Sequence, residues 1–271
     1  MSDNATMTSL NLRRAGLRRG LLGRERVLGG WTCFAHPAIA EIFARSGVDF
    51  IGIDMEHTPI SLEQARDIIA ACHLGGALCL PRIPAHDAAV IKRLLDAGAD
   101  GIIAPTVETA EQARDIASWC AYPPRGGRGF GVSRAQGYGF DFDQYVGAWN
   151  DSFTFIAQVE TVRGMENVEA ILAVEGVHGI MIGPYDLSGS LGLPGQLEHP
   201  LVVQAEERIL RACATAGKGC GMHVVDPDAD AVARRMAQGF TWLVLGADVF
   251  ALWKWSENLG ALVHALRTKS S

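Results

Sequence analysis

The chain has 271 residues, 48% of them hydrophobic, and 24 Lys and Arg against 30 Asp and Glu give a net charge of −6. That length is usual for one α/β barrel and long for one sandwich domain. No basic tail or stripe is present, which argues against nucleic acid or an anionic membrane as the main partner.

Residues 1–26 open with MSDNATMTSLNLRRAGLRRG, which has basic residues but no continuous apolar run. Neither export nor membrane insertion is expected, and this extension is predicted to end in a short amphipathic helix. From Val27 two patterns alternate. Val27–Phe34 reads as a first strand and Pro37–Ser46 as a short helix opened by proline. Phe50–Asp54 (FIGID) is a second strand, followed by Met55, Glu56, His57 and Thr58-Pro59. Ser61 stands three residues before Gln64, a capping-box spacing, and starts a helix reaching about His73. Ala77–Ile83 is strand three, Asp87–Ala97 a helix, Gly101–Ala104 strand four and Thr109–Trp119 a helix.

The rhythm breaks over Cys120–Ser152, which carries Arg125, Arg128 and Arg134 and a short helix at about Asp141–Trp149. Irregular stretches of this length in compact domains are usually functional or lie at subunit contacts. Phe153–Val159 is strand five, Gly164–Ala173 a helix and Gly179–Ile182 strand six. The helix Pro200–Ala216, strand seven at Gly219–His223, the helix Pro227–Gln238, strand eight at Trp242–Leu245 and a last helix Asp248–Arg267 complete the chain. Eight βα units without a linker predict a single (β/α)8 TIM barrel over residues 27–271, with a loop insertion at about 120–152. A doubly wound open sheet is the alternative, weakened because no GxGxxG follows strand one. Cys33, Cys72, Cys79, Cys120, Cys213 and Cys220 form no CxxC, and suit buried thiols in a reducing, cytoplasmic compartment.

Barrel active sites are built after the strand carboxyl ends. Those positions hold Asp54, Glu56 and His57, then Arg82, then Gln158 and Glu160, Asp186, and His223 with Asp226. Glu160 and Asp186 stand one βα unit apart, so neighbouring parallel strands can bring both carboxylates to one hard cation, Mg²⁺, Mn²⁺ or Co²⁺. The competing reading has Glu160 capping a helix and Asp186 in an Asx-turn before Ser188. His57 has the chemistry of a proton shuttle. Arg82 ends an apolar strand, where a cation needs an anion: Asp54, Asp96, a substrate carboxylate or a developing oxyanion. No lysine stands at a strand end, which disfavours a Schiff base.

DFIGIDMEH, the strand ending in PRIP, LLDAGADGIIAPTVETAEQA, YPPRGGRG, the acid in QVET and GPYDLSGSLG together resemble the HpcH/HpaI aldolases, metal-dependent class II pyruvate aldolases. The resemblance runs from about Leu28 to Gly246. It implies a homohexamer, a trimer of dimers, whose last helix is exchanged between subunits. It also implies Glu160 and Asp186 as divalent-metal ligands, His57 as the base, Asp54 as an acid near it, and Asp96 as an acid reaching that histidine across a subunit contact. Arg82 matches the residue that stabilises the pyruvate oxygen as it becomes an enolate. Gln158, Trp31, Ser188 and the Gly183-Pro184-Tyr185 stretch are expected to line the substrate site. The implied reaction is retro-aldol cleavage of a 4-hydroxy-2-oxo acid to pyruvate, or a pyruvate analogue such as hydroxypyruvate, and an aldehyde. Two alternatives stand beside it: a citryl- or malyl-type lyase or citrate-synthase-like condensing enzyme on the same site, and a non-catalytic barrel. The implied partners are small oxo acids and aldehydes, with no nucleic acid and no membrane.

Overall fold

The structure, a computed structural model, describes residues 2–268, with side chains from Ser9 onward. In chain order the elements are α1 (Ser2–Leu22), β1 (Val27–Thr32), α2 (Pro37–Ala44), β2 (Phe50–Asp54), α3 (Leu62–Gly75), β3 (Leu78–Arg82), α4 (Ala88–Asp96), β4 (Gly101–Ala104) and α5 (Ala110–Cys120). A 3₁₀ turn (Arg134–Gly139) and α6 (Phe142–Trp149) precede β5 (Thr154–Val159), α7 (Val162–Glu166), α8 (Val168–Leu172), β6 (Gly179–Ile182) and α9 (Pro184–Ser190). The chain ends with α10 (Pro200–Thr215), β7 (Gly219–Val224), α11 (Ala229–Ala237), β8 (Trp242–Leu245) and α12 (Asp248–Thr268). The strands pair in sequence order and β8 closes on β1, forming the expected barrel.

Two apolar clusters hold it together. The larger fills the sheath between strands and outer helices, where Ile51, Ile102, Phe155 and Ile180 face Ile68, Leu94, Ile116 and Ile171. The smaller fills the barrel interior with Trp31, Phe50 and Trp242 beside Ile103, Ile156 and Met181. Glycines on the strands make room for these aromatics. A Cβ on Gly52 would lie 2.2 Å from the Trp31 ring, one on Gly221 2.0 Å from the Trp242 ring and one on Gly29 2.5 Å from Phe50. Each contact is far inside van der Waals distance, so the small residue and the large one form a unit.

Helix α1 is longer than the short helix expected, and it closes the amino-terminal end of the barrel. Leu17 and Leu21 join the interior cluster, and the buried Arg14 donates from Nε to Asp100 Oδ1 at 2.6 Å. Asp100 also meets His73 Nε2 at 2.8 Å and accepts from the Cys79 amide at 2.7 Å. Burial opposes its ionised form, but His73 and Arg14 outweigh this and hold the carboxyl well below the usual range.

The segment between α5 and β5 is folded against the barrel. The Arg128 guanidinium lies 4.5 Å from the Tyr122 ring centroid and 4.6 Å from that of Trp149. It donates to Asp96 at 2.8 Å and to the Tyr145 hydroxyl at 3.1 Å. Arg128 is therefore a buried packing cation, whereas Arg125 pairs on the surface with Asp151 at 2.6 Å. The predicted helix Gly164–Ala173 is two short helices, α7 and α8, divided at Asn167, whose side chain donates to the Glu108 carbonyl at 2.9 Å. Among the described residues no helix is long and apolar enough to cross a membrane.

Candidate active site

The β2–β3 register sets Asp54 opposite Arg82. Arg82 meets both oxygens of Asp54, through Nε at 3.2 Å and Nη2 at 2.7 Å, a fork against a carboxylate. Its Nε also lies 3.2 Å from Glu56 Oε2, and its guanidinium sits 5.1 Å from the Trp31 ring centroid. Asp54 Oδ1 accepts the amides of Glu56 and His57, each at 3.1 Å, which turns the chain sharply after β2. One buried carboxylate thus sets both the arginine and the backbone that carries His57.

Glu160 follows β5 and is 4% exposed. Its Oε1 accepts the Thr106 amide at 2.7 Å and the Thr106 hydroxyl at 3.0 Å, and its Oε2 accepts from Gln158 Nε2. Thr106 has a φ of 50°, an unfavourable conformation for a β-branched residue, and it points two donors at this one carboxylate. A Cβ on Gly183 would sit 2.3 Å from Glu160 Oε2, so only glycine leaves the carboxylate its place. Asp186 lies in the first turn of α9, a short helix absent from the sequence expectations, and it is exposed. The Asx-turn and helix-cap alternatives fall away: Asp186 is inside a helix, and Thr161 caps α7, its hydroxyl accepting from the Gly164 amide at 3.0 Å.

The electrostatics favour a cation. Burial pushes the Glu56 carboxyl up; Arg82 opposes that shift, and Glu160 adds to it as a like charge. Asp54 and Glu56 both meet Arg82, and Glu160 lies near enough to Glu56 to act on its charge. Two carboxylates with positions left for water and substrate suit a hard divalent ion. Among the described residues no group of three or more His, Cys, Asp or Glu is placed to hold a metal ion.

The remaining expected residues divide. The His57 side chain is 65% exposed at the mouth, with Nε2 3.6 Å from Glu56. Trp31 is buried under Arg82 as part of the interior cluster. Gly183 caps α9, Pro184 starts it and Tyr185 is exposed, its hydroxyl over Gly195. Ser188 departs from expectation: it is fully buried, donating to the Tyr185 carbonyl at 2.6 Å and accepting from the Gly195 amide at 2.9 Å. Its hydroxyl folds the loop and is not offered to a ligand. Asp96 is likewise not brought to His57 within the chain, since it pairs with Arg128 at the end of α4. Thr106 gains an importance that the sequence reading did not give it. His223, one of the strand-end set, bonds the Gly246 carbonyl through Nε2 at 3.0 Å, and its ring packs 5.7 Å from Trp31. Burial lowers its pKa to about 4, against the pull of that carbonyl, so it is neutral near pH 7.

Residues 28–254 match the family model described as HpcH/HpaI aldolase/citrate lyase. The hydroxypyruvate/pyruvate aldolase of Roseobacter denitrificans is 36% identical over 247 residues, covering 88% of this chain and 96% of the relative. The 2-keto-3-deoxy-L-rhamnonate aldolase of Klebsiella pneumoniae is 38% identical over 234 residues, 85% of this chain and 86% of the relative. A solved HpcH/HpaI aldolase/citrate lyase family protein from Burkholderia cenocepacia superposes with a TM-score of 0.86 at 32% identity, covering 92% of this chain and 99% of that one. Taken with the barrel and its strand-end carboxylates, these likenesses define a carbon–carbon lyase of the aldolase class. The chain belongs to the HpcH/HpaI aldolase/citrate lyase family.

Proposed function

We propose that this enzyme cleaves a 4-hydroxy-2-oxo acid reversibly to pyruvate, or to hydroxypyruvate as an analogue, and an aldehyde. The observation that carries the reading is the Arg82 fork held by Asp54 and Glu56 beside the pinned Glu160 carboxylate. Glu160 and Asp186 would hold a divalent ion, Mg²⁺, Mn²⁺ or Co²⁺, which when bound acts as a Lewis acid toward the oxo acid. Arg82 makes no hydrogen bond from Nη1 to the described residues, and that donor is free to meet the 2-oxo oxygen as negative charge develops there. Gln158 fixes one Glu160 oxygen, and Gly183 and Pro184 leave the backbone of the loop close to the substrate. His57 takes the proton from the 4-hydroxyl group. The C3–C4 bond then breaks, the aldehyde leaves, and the enolate of pyruvate is protonated at C3.

Support for an oligomer comes from α12. It has no buried residue after Asp248, and Leu252, Trp255, Leu259 and Leu262 lie 41–62% exposed at alternating three- and four-residue spacing. Such a stripe is the seam of a helix packed on another helix. We read it as the element exchanged in a homohexamer, with Asp96 reaching a neighbour's His57. The six free thiols suit a cytoplasmic enzyme.

The test is exchange of the pyruvate methyl protons for deuterium, followed by NMR, with EDTA and with added Mn²⁺. Exchange that needs the ion and disappears in Glu160→Ala supports the reading. Exchange that survives both EDTA and that substitution overturns it. Turnover only with a thioester co-substrate would instead assign the same site to a citryl- or malyl-type lyase.

A further inference from the structure

At the opposite end of the barrel from the strand-end carboxylates a cavity of about 420 Å³ opens between α1, α5 and α8. Its walls are mostly apolar, with Ala117, Ala121, Phe153 and Val174 among them, but Arg18, Arg125, Arg114 and His178 also line it. That volume is within the range of small-ligand sites.

Two of these groups are incompletely satisfied. Arg18 is half-buried and donates to the Asn150 carbonyl at 2.8 Å. It forms no ion pair among the described residues, whereas Arg125 is held by Asp151 and Arg114 by Glu111. Burial lowers the Arg18 pKa; Asp151 and Glu175 oppose this, and Arg125 adds to it. A guanidinium in that setting gains from an anion at bonding distance. The second group is His178, 1% exposed. Its Nδ1 accepts the Phe155 amide at 2.9 Å, which fixes the proton on Nε2. That Nε2–H has no acceptor among the described residues. A buried donor left unbonded is costly, and in native proteins it calls for an explanation.

We infer that this cavity is a second ligand site, which binds a small organic monocarboxylate with a compact apolar body through Arg18 and His178. The carboxylate meets the Arg18 fork, a turn of the Phe153 ring that packs edge-to-face on His178 at 5.3 Å opens the way to the His178 Nε2–H, and the hydrocarbon lies against the alanines. A single negative charge fits better than a dianion, because Glu175 also lines the cavity and the other two arginines already have carboxylate partners. Phe153 leads into β5 and His178 into β6, the strands that end at Glu160 and before Asp186. The inference does not rest on the aldolase reaction.

Calorimetric titration of the full chain in EDTA with sodium benzoate or sodium isobutyrate, beside neutral benzamide and inorganic phosphate, tests it. The expected result is saturable binding of at least one carboxylate, weakened about tenfold or more in benzamide, in Arg18→Gln and in Ala173→Trp, which fills the rim. Glu160→Ala, at the other end, leaves that binding unchanged. Should Arg18→Gln fail to fold, the rim variant carries the same comparison. The inference fails if no carboxylate saturates by about 10 mM, weaker than useful recognition. It also fails if the rim variant binds as well as wild type, if Glu160→Ala abolishes binding, or if phosphate binds more tightly than both carboxylates.

Discussion

Asp54 and Arg82 face each other across β2 and β3 and close a two-point ion pair at 2.7 and 3.2 Å, with the arginine resting on Trp31. The pairing fixes the plane of the guanidinium before any substrate arrives, which an ammonium on a flexible stem cannot reproduce. Arg82→Lys is therefore expected to lower kcat about 100-fold or more, the scale seen when one oxyanion donor is removed. Because the charge stays, the circular dichroism spectrum should match wild type. A variant with near-normal kcat would show that a point charge suffices.

Thr106 contacts Glu160 through both its amide and its hydroxyl. Groups that orient a metal ligand typically affect affinity by about 10–100-fold. Thr106→Ala keeps the amide contact, so a loss near the lower bound is expected. Electron paramagnetic resonance of free Mn²⁺ during titration measures it without any turnover. Unchanged affinity would mean that the hydroxyl merely satisfies a buried oxygen.

His223 stays neutral in the folded chain down to about pH 4, whereas in the unfolded chain it titrates near 6.5. Between those values the unfolded state binds a proton that the folded state refuses. The stability associated with this group is complete above 6.5 and falls as pH drops toward 4. The buried His178, shifted in the same direction, adds to that slope. Urea unfolding at pH 7.5 and 4.5 should show the wild type losing more stability than His223→Gln over that interval. Equal losses would place the ring in water.

Helix α12 starts from a fixed point. Asp248 accepts the Thr32 hydroxyl at 2.7 Å and the Cys33 and Phe34 amides at 2.8 and 3.0 Å. Beyond it, a double change of Trp255→Glu and Leu259→Glu places charge on the exposed stripe. Sedimentation is expected to shift to smaller species while thermal unfolding of the barrel changes little. An unaltered sedimentation coefficient would remove α12 from the subunit contact.

The sequence disclosed the barrel well because its punctuation is local. β2, β4, β6 and β8 match their predicted limits residue for residue, each being a short apolar run bounded by Gly, Pro, Asp or Thr. The Ser61–Gln64 capping box closes as its spacing predicts, with bonds at 2.9 and 3.3 Å. Helix α9 was missed because Gly189 and Ser190 outweighed the signal of Pro184 at its first position. Part of the site was illegible for a different reason. Thr106 matters through a positive φ and a partner 54 residues away, and neither leaves a mark on its neighbours. Ser188 carried the residue type of a binding group, yet only the folded loop shows its hydroxyl turned inward.

The nesting of Gly52 with Trp31 and of Gly221 with Trp242 has a consequence for how such a barrel can diverge. Enlarging either glycine alone drives a side chain into an indole, and shrinking either indole alone leaves a void where the two strands meet. Neither single step is neutral, whereas the two taken together restore the volume. Descendants of this chain would then carry the partners as linked alternatives, large with small or small with large, and the intermediates would be the sequences lost along the way.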